Sequence, residues 1–298
     1  MANSSQVFKI AATAINLIVF IVVLVLNYAS RDPTHGPFRH LFGNATTGEV
    51  SDKFYIEITP AGWAFAIWAL IYIWQGAWII YSLTLLCRKD APNVISPVLL
   101  VVYSLASVVN ASWIVVWSHE WIQISSFLLF AISFFLYGTL AKSYMTVNLG
   151  TKGIPKRDFI ATQVLVNNGV ALYTTWCTIA SLLNLAMAIT YFHGVDQDVA
   201  STISLVILAL EVVVWFSLEN TILDKFVRYT LSVYPVVIWA LSASINKNWD
   251  PAKRNSIISL ILLAVACTLF VARVVIVVWR EQKKKRPVNS SSLLLHNS

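Results

Sequence analysis

Apolar residues run along this chain in eight long blocks separated by shorter polar joints. The blocks cover residues 7–28, 62–86, 94–117, 121–141, 162–192, 199–218, 221–244 and 256–280. Each is near the roughly 20 residues that an α-helix needs to cross the hydrocarbon of a bilayer. Backbone N–H and C=O groups cannot stay unpaired in hydrocarbon, so runs this long read as helices. The pattern predicts an all-α, polytopic transmembrane bundle of about eight spans. The fifth block is longer than a span requires, so it tilts or extends beyond the membrane. Pro235 lies inside the seventh block and is expected to bend it.

The joints are uneven. The first, residues 30–59, is the longest and carries Pro33, Gly36, Pro37, Gly43 and Gly48. Loops of this length tend to be functional lids or disordered segments, and this one is placed to fold over one mouth of the bundle. A composition shift near 194–198 divides the chain into three parts. Residues 1–195 form a five-helix membrane domain with its lid-like loop. Residues 196–282 add three helices, and 283–298 form a basic tail expected to be disordered.

Composition agrees with the blocks. Apolar residues make up 58% and charged residues 12%, against the roughly 25% charged share of soluble domains. The net charge of +7 comes largely from the tail, so it does not point to nucleic acid. A Lys/Arg cluster beside a membrane helix, here 283–286, suits anionic lipid. With eight spans, cytoplasmic termini place most Lys and Arg outside the spans on the inner side, as the positive-inside rule requires. The first block lacks a convincing cleavage site and is read as a retained helix. The expected location is the plasma membrane or an endomembrane. Asn44-Ala-Thr then becomes a glycosylation sequon on the outer side. Cys87, Cys177 and Cys267 have neither metal-site nor disulfide-framework spacing.

The candidate chemistry sits on a few helical faces. At about 100° per residue, Trp68, Tyr72, Gln75 and Ile79 share one face of the second block, while Trp63, Trp74, Trp78 and Tyr81 share another. The first face is assigned to the interior, the tryptophans of the second to the outside. Tyr103, Ala106, Asn110, Trp113 and Trp117 form a stripe on the third block. Gly169, Tyr173, Trp176, Ala180, Leu183 and Met187 form one on the fifth. Stripes like these either fill a bundle interior, with interhelical hydrogen bonds of about 0.6 kcal/mol each, or line an apolar pocket in which aromatic faces stack on a flat ligand.

Three spacings tie the stripes together: Pro60-x7-Trp68-x3-Tyr72-x3-Gly76, Asn110-x2-Trp113-x3-Trp117 and Trp176-x3-Ala180-x3-Asn184. In this order, on the second, third and fifth helices, they resemble the signatures of the TspO/translocator protein family, the tryptophan-rich sensory proteins. The resemblance covers roughly 7–192, which makes the chain an extended relative with three helices beyond the family's five. It implies a pocket opening toward the first loop, with Trp68, Tyr72, Asn110, Trp113, Trp117, Trp176 and Ala180 as ligand-binding candidates. Members bind porphyrins, sterol-like lipids and flat aromatic drugs, so a tetrapyrrole or haem-like ligand or a sterol-like lipid is the expected hydrophobic partner. The resemblance also implies binding, sensing or transport, and a homodimer. Some members degrade porphyrin in light, with tryptophans at the Trp68 and Trp176 positions implicated; no nucleophile triad, metal motif or nucleotide fingerprint adds an enzymatic reading. The sequence departs from the family at the proline before Trp68, here Ala66-Ile67, and Tyr191 is not followed by the basic residue of the cholesterol motif.

The added helices carry a different signal. Glu211, Arg228 and Arg273 each fall seven positions from the inner end of a block, a depth of roughly 10 Å at 1.5 Å per residue. Intramembrane charges are functional candidates by default. These three are expected either to form an ion-paired cluster that locks the last three helices, or to serve a transporter or receptor whose substrate site involves Glu211.

Overall fold

The structure is a computed structural model, which describes residues 4–149 and 153–285. The predicted tail and lipid-binding cluster beyond Lys285 lie outside the described residues. Lys283 and Lys284 do not begin a tail; they continue the last helix.

Helices α1 (Ser4–Ala29), α2 (Thr47–Lys53), α3 (Ile67–Leu86), α4 (Pro97–Ser118) and α5 (Ile122–Leu149) come first. A short helix α6 (Lys156–Ala161), a π-turn (Thr162–Asn167) and α7 (Asn168–His193) together form one long rod. Then follow α8 (Gln197–Asn220), α9 (Asp224–Val227), α10 (Val233–Asn248) and α11 (Arg254–Lys285). Among the described residues there is no strand. Among the described residues, seven helices are long and apolar enough to cross a membrane. The chain is an integral, multi-pass membrane protein.

The expected helix over 221–244 is broken. Residues 221–223 turn, α9 lasts four residues, and α10 begins at Val233. The passage is still made. Arg254 pairs with Asp198 at 3.0 Å, and Arg280 Nη2 donates to the Asn220 carbonyl at 2.8 Å. The starts of α8 and α11 therefore lie at one end of the bundle and their later halves at the other, so residues 221–253 must run back between them. The 16 residues of α10 supply about 24 Å of that path. Pro235 does not bend this helix. It occupies the first turn, where a missing N–H removes no intrahelical bond.

α7 is the most buried of the spans and packs against α3, α5, α8 and α10. On one side, α1 packs on α3 and α4, and α4 on α5. On the other, α8, α10 and α11 form a second group. The α3–α7 joint explains the π-turn and one glycine. Trp74 Nε1 donates to the Val164 carbonyl within the π-turn at 3.1 Å, and Gln75 Nε2 to the Gly169 carbonyl at 2.9 Å. A Cβ on Gly169 would stand 2.6 Å from Trp74 Cδ1, so only glycine admits the indole. Trp78, expected to face outward, is fully buried: it donates to Gln75 at 2.7 Å and meets Tyr103 edge-on. Trp63 does stay exposed.

The first loop is ordered. Helix α2 starts with a capping box, in which Thr46 and Glu49 satisfy each other's backbone N–H groups. Gly43 lets the loop lie against the end of α4; a Cβ there would sit 1.9 Å from the Ser118 carbonyl oxygen. Across the bundle the same loop reaches the later helices. Tyr191 donates to the Tyr55 carbonyl at 2.9 Å, Asn248 to the Thr59 carbonyl at 2.7 Å, and Lys247 pairs with Asp52.

Candidate functional site

The three aromatic stripes converge beneath α2. Trp68 stacks on Tyr72 and on Trp113, each at 5.6 Å between ring centroids, and Trp113 stacks on Trp117 at 5.8 Å. Trp176 and Tyr173 meet Trp68 edge-on at 6.4 and 6.0 Å. Asn110 Nδ2 donates to the Tyr72 hydroxyl at 3.2 Å, and Asn27 on α1 donates to the same oxygen at 3.4 Å. The structure thus brings Trp68, Tyr72, Asn110, Trp113, Trp117 and Trp176 into one cluster. Ala180 and all four tryptophans border the hollow beside it.

That hollow is about 30 Å³, closed above by Thr47 and Ser51 of α2 and by Pro60. Trp117 Nε1 fixes the cover by donating to the Thr47 carbonyl at 3.2 Å. Several polar atoms in the cluster are buried without a hydrogen-bond partner: Asn110 Oδ1, Trp113 Nε1, Tyr173 OH, Trp176 Nε1 and Asn184 Oδ1. A buried donor or acceptor left unpaired costs about 1–3 kcal/mol. Five such atoms are a cost to this packing, and three of the residues that carry them, Trp113, Trp176 and Asn184, border the hollow itself. Tyr173, Asn184 and Pro60 stood in the sequence stripes and spacings, yet were not singled out as pocket residues. Thr47 and Ser51 carried no signal, because a loop's place over a bundle is not periodic.

The charged residues sort differently from the sequence expectation. Arg273 is fully buried, and its partners are Glu219 at 3.3 Å and Asp224 at 3.5 Å. Arg228 joins through Asp224 and through Glu281 at 3.1 Å, while Arg280 meets Asp224 at 2.5 Å. Glu211 is not among them. It lies two turns earlier on α8 and lines a separate cavity of about 460 Å³. The break in the seventh passage explains the cluster. Arg273 donates to the carbonyls of Glu219, Val227 and Arg228 at 3.0, 3.2 and 3.2 Å, and to Asn220 Oδ1 at 2.8 Å. These are the acceptors that helix ends leave open, and a guanidinium has the donors to serve them together. Tyr234 donates to the far oxygen of Glu219. The arrangement closes on itself and reads as a lock.

No group of three or more His, Cys, Asp or Glu among the described residues is placed to hold a metal ion. Asn44 is exposed on the first loop.

One comparison with known proteins is positive. The profile of the family described as TSPO-like protein matches residues 13–276. The match does not stop at residue 192; it runs through α8, α10 and most of α11. Neither a curated protein nor a solved structure matches the chain.

Proposed function

The chain belongs to the TSPO-like protein family, and from that premise we propose that it binds a flat hydrophobic ligand, a tetrapyrrole or a sterol-like lipid, among the rings of Trp68, Tyr72, Trp113, Trp117 and Trp176. The observation that carries this reading is the set of five unpartnered polar atoms buried among those rings. A pocket for such a ligand is mostly apolar and aromatic, with a few polar groups to orient it. The rings supply stacking faces, and Asn110, Tyr173 and Asn184 supply the polar anchors. In this reading the structure is the closed form, since 30 Å³ is far below the roughly 300–1,000 Å³ of a small-molecule site. Binding separates Trp68 from Trp113 and lifts α2, so that the ligand replaces ring-on-ring contacts with ring-on-ligand ones. The function is that of a membrane receptor or carrier for the ligand.

Protoporphyrin titrated into the purified protein tests this by quenching of tryptophan fluorescence. The expected result is saturable quenching, weakened at least tenfold in Trp68→Ala and in Trp176→Ala. Unsaturable quenching that both variants leave unchanged defeats the proposal.

The second reading, a substrate site on the added helices, is favoured by one observation, the larger cavity at Glu211.

A further inference from the structure

We propose that the cavity between α5, α7, α8 and α10 is a binding site for a lipophilic amine, with the ammonium group held at Glu211 and the apolar body in the cavity. This site is separate from the aromatic cluster and does not depend on it.

The cavity is about 460 Å³, within the roughly 300–1,000 Å³ typical of small-molecule sites. Its walls are mainly aliphatic and aromatic, from Leu140 and Met145 on α5 to Leu208 and Val212 on α8 and Val237 on α10. Glu211 is the one charged residue on the wall, and it makes no hydrogen bond or ion pair among the described residues. It lies 14 residues into a 24-residue helix, about 21 Å from the lid end, where an unpaired carboxylate is a functional candidate by default.

What surrounds Glu211 selects the ligand's chemistry. The Ser204–Leu182 hydrogen bond of 2.8 Å fixes the antiparallel register of α8 and α7. Seven residues on along α8, and seven back along α7, bring Glu211 level with Thr175. Thr174, Thr175 and Thr178 all line the cavity, and each spends its hydroxyl proton on its own helix, donating to the carbonyls of Val170, Ala171 and Thr174. The Tyr137 hydroxyl, 3.1 Å from Thr178 Oγ1, must then be the donor of that pair. The Tyr144 hydroxyl is engaged by Thr230, and the Trp215 N–H is buried and turned toward Glu219. The polar wall that remains consists of a carboxylate and hydroxyl lone pairs. A wall of acceptors fits a cationic donor. An ammonium group has three donors and no acceptor, and a neutral acyl chain would leave the Glu211 carboxylate without a partner.

The test uses the full chain in lipid nanodiscs, with empty nanodiscs subtracted. Tritiated 1-adamantylamine, a rigid apolar cage with one ammonium, is the probe, and 1-adamantanol is its neutral isostere. The expected result is saturable binding near one per chain, at least tenfold weaker in Glu211→Gln, with 1-adamantanol displacing the amine only at more than tenfold higher concentration. Val214→Trp, at an exposed cavity wall position, fills the space, leaves the carboxyl in place and is expected to abolish binding. Melting temperatures establish that each variant is folded. Unaltered amine binding in either folded variant overturns the proposal. So does equal displacement by the alcohol, which would make the cavity a seat for lipid tails.

Discussion

Replacing Arg273 by Met should be among the most damaging single changes in the protein. The side chain is fully buried, is ion-paired to Glu219 and Asp224, and donates to four oxygens on α8, α9 and the segment after it. Four hydrogen bonds at about 0.6 kcal/mol each in a membrane bundle amount to about 2–3 kcal/mol. Removing one partner of a buried ion pair costs about 3–5 kcal/mol, because the other charge stays behind unpaired. The two figures overlap, so about 3–5 kcal/mol is the expected loss. Arg273→Lys keeps the charge, but its three donors cannot span the same acceptors, and it should recover little. Combining Arg273→Met with Glu219→Gln removes the stranded charge and should be milder than the sum of the single changes by at least about 1 kcal/mol. Arg254→Ala is the control: Arg254 and Asp198 are each more than half exposed, and such pairs are worth about 0–1 kcal/mol. Reversible unfolding in mixed micelles of dodecyl sulfate and a mild detergent provides the measurement. If Arg273→Met costs no more than Arg254→Ala, the account of the broken passage is wrong.

Gly169→Ala should destabilise by about 1–3 kcal/mol, the usual cost of overpacking, because its Cβ meets Trp74 at 2.6 Å; the same unfolding assay would show no change if the indole simply moves aside. Asn44→Gln should abolish a glycosidase-sensitive shift in gel mobility in a eukaryotic host, and no shift in the parent chain would count against an outer first loop. The start of α2 should loosen in acid. The Thr46 backbone N–H, then its hydroxyl, hold the Glu49 carboxyl below its ordinary pKa. A group depressed in the folded state stabilises it above the unfolded pKa, and that contribution is lost as pH falls through the folded pKa. Intrinsic hydrogen exchange varies with pH, so protection factors for amides 47–50 should fall in acid in the parent but stay flat in Glu49→Gln, which cannot titrate.

The spans were legible because hydropathy is a property of each segment alone. So were the aromatic stripes, because helical periodicity states which residues share a face. What was hidden lay between segments. Residues 221–244 average as apolar, and nothing in them shows that Arg273, on the last helix, satisfies a broken backbone there. The break also moves the pairing. A helix drawn to 218 makes Glu211 the deep acid and leaves Glu219 at the edge, whereas the observed turn folds Glu219 inward. Trp78 was read outward on periodicity, yet α3 is buried on more than one side, and a Gln75 side chain three residues away accepts its N–H. The loop's seat over the aromatic cluster depends on close approach at Gly43 and on long-range pairs such as Lys247–Asp52, which no local pattern encodes.

Those pairs bear on time as well as on shape. The loop is fastened to the end of α4 by Trp117 and by Lys53 with Glu120, and to the far helices by Tyr191, Lys247, Asn248 and Lys253. A flap held along two opposite rims cannot swing on one hinge; several fastenings must release in the same event. Of these residues only Trp117 belongs to the ring cluster. In the proposed liganded form, with α2 lifted, these fastenings are what opening must break: substitutions at the rim should speed entry and also tighten binding, without touching a ring.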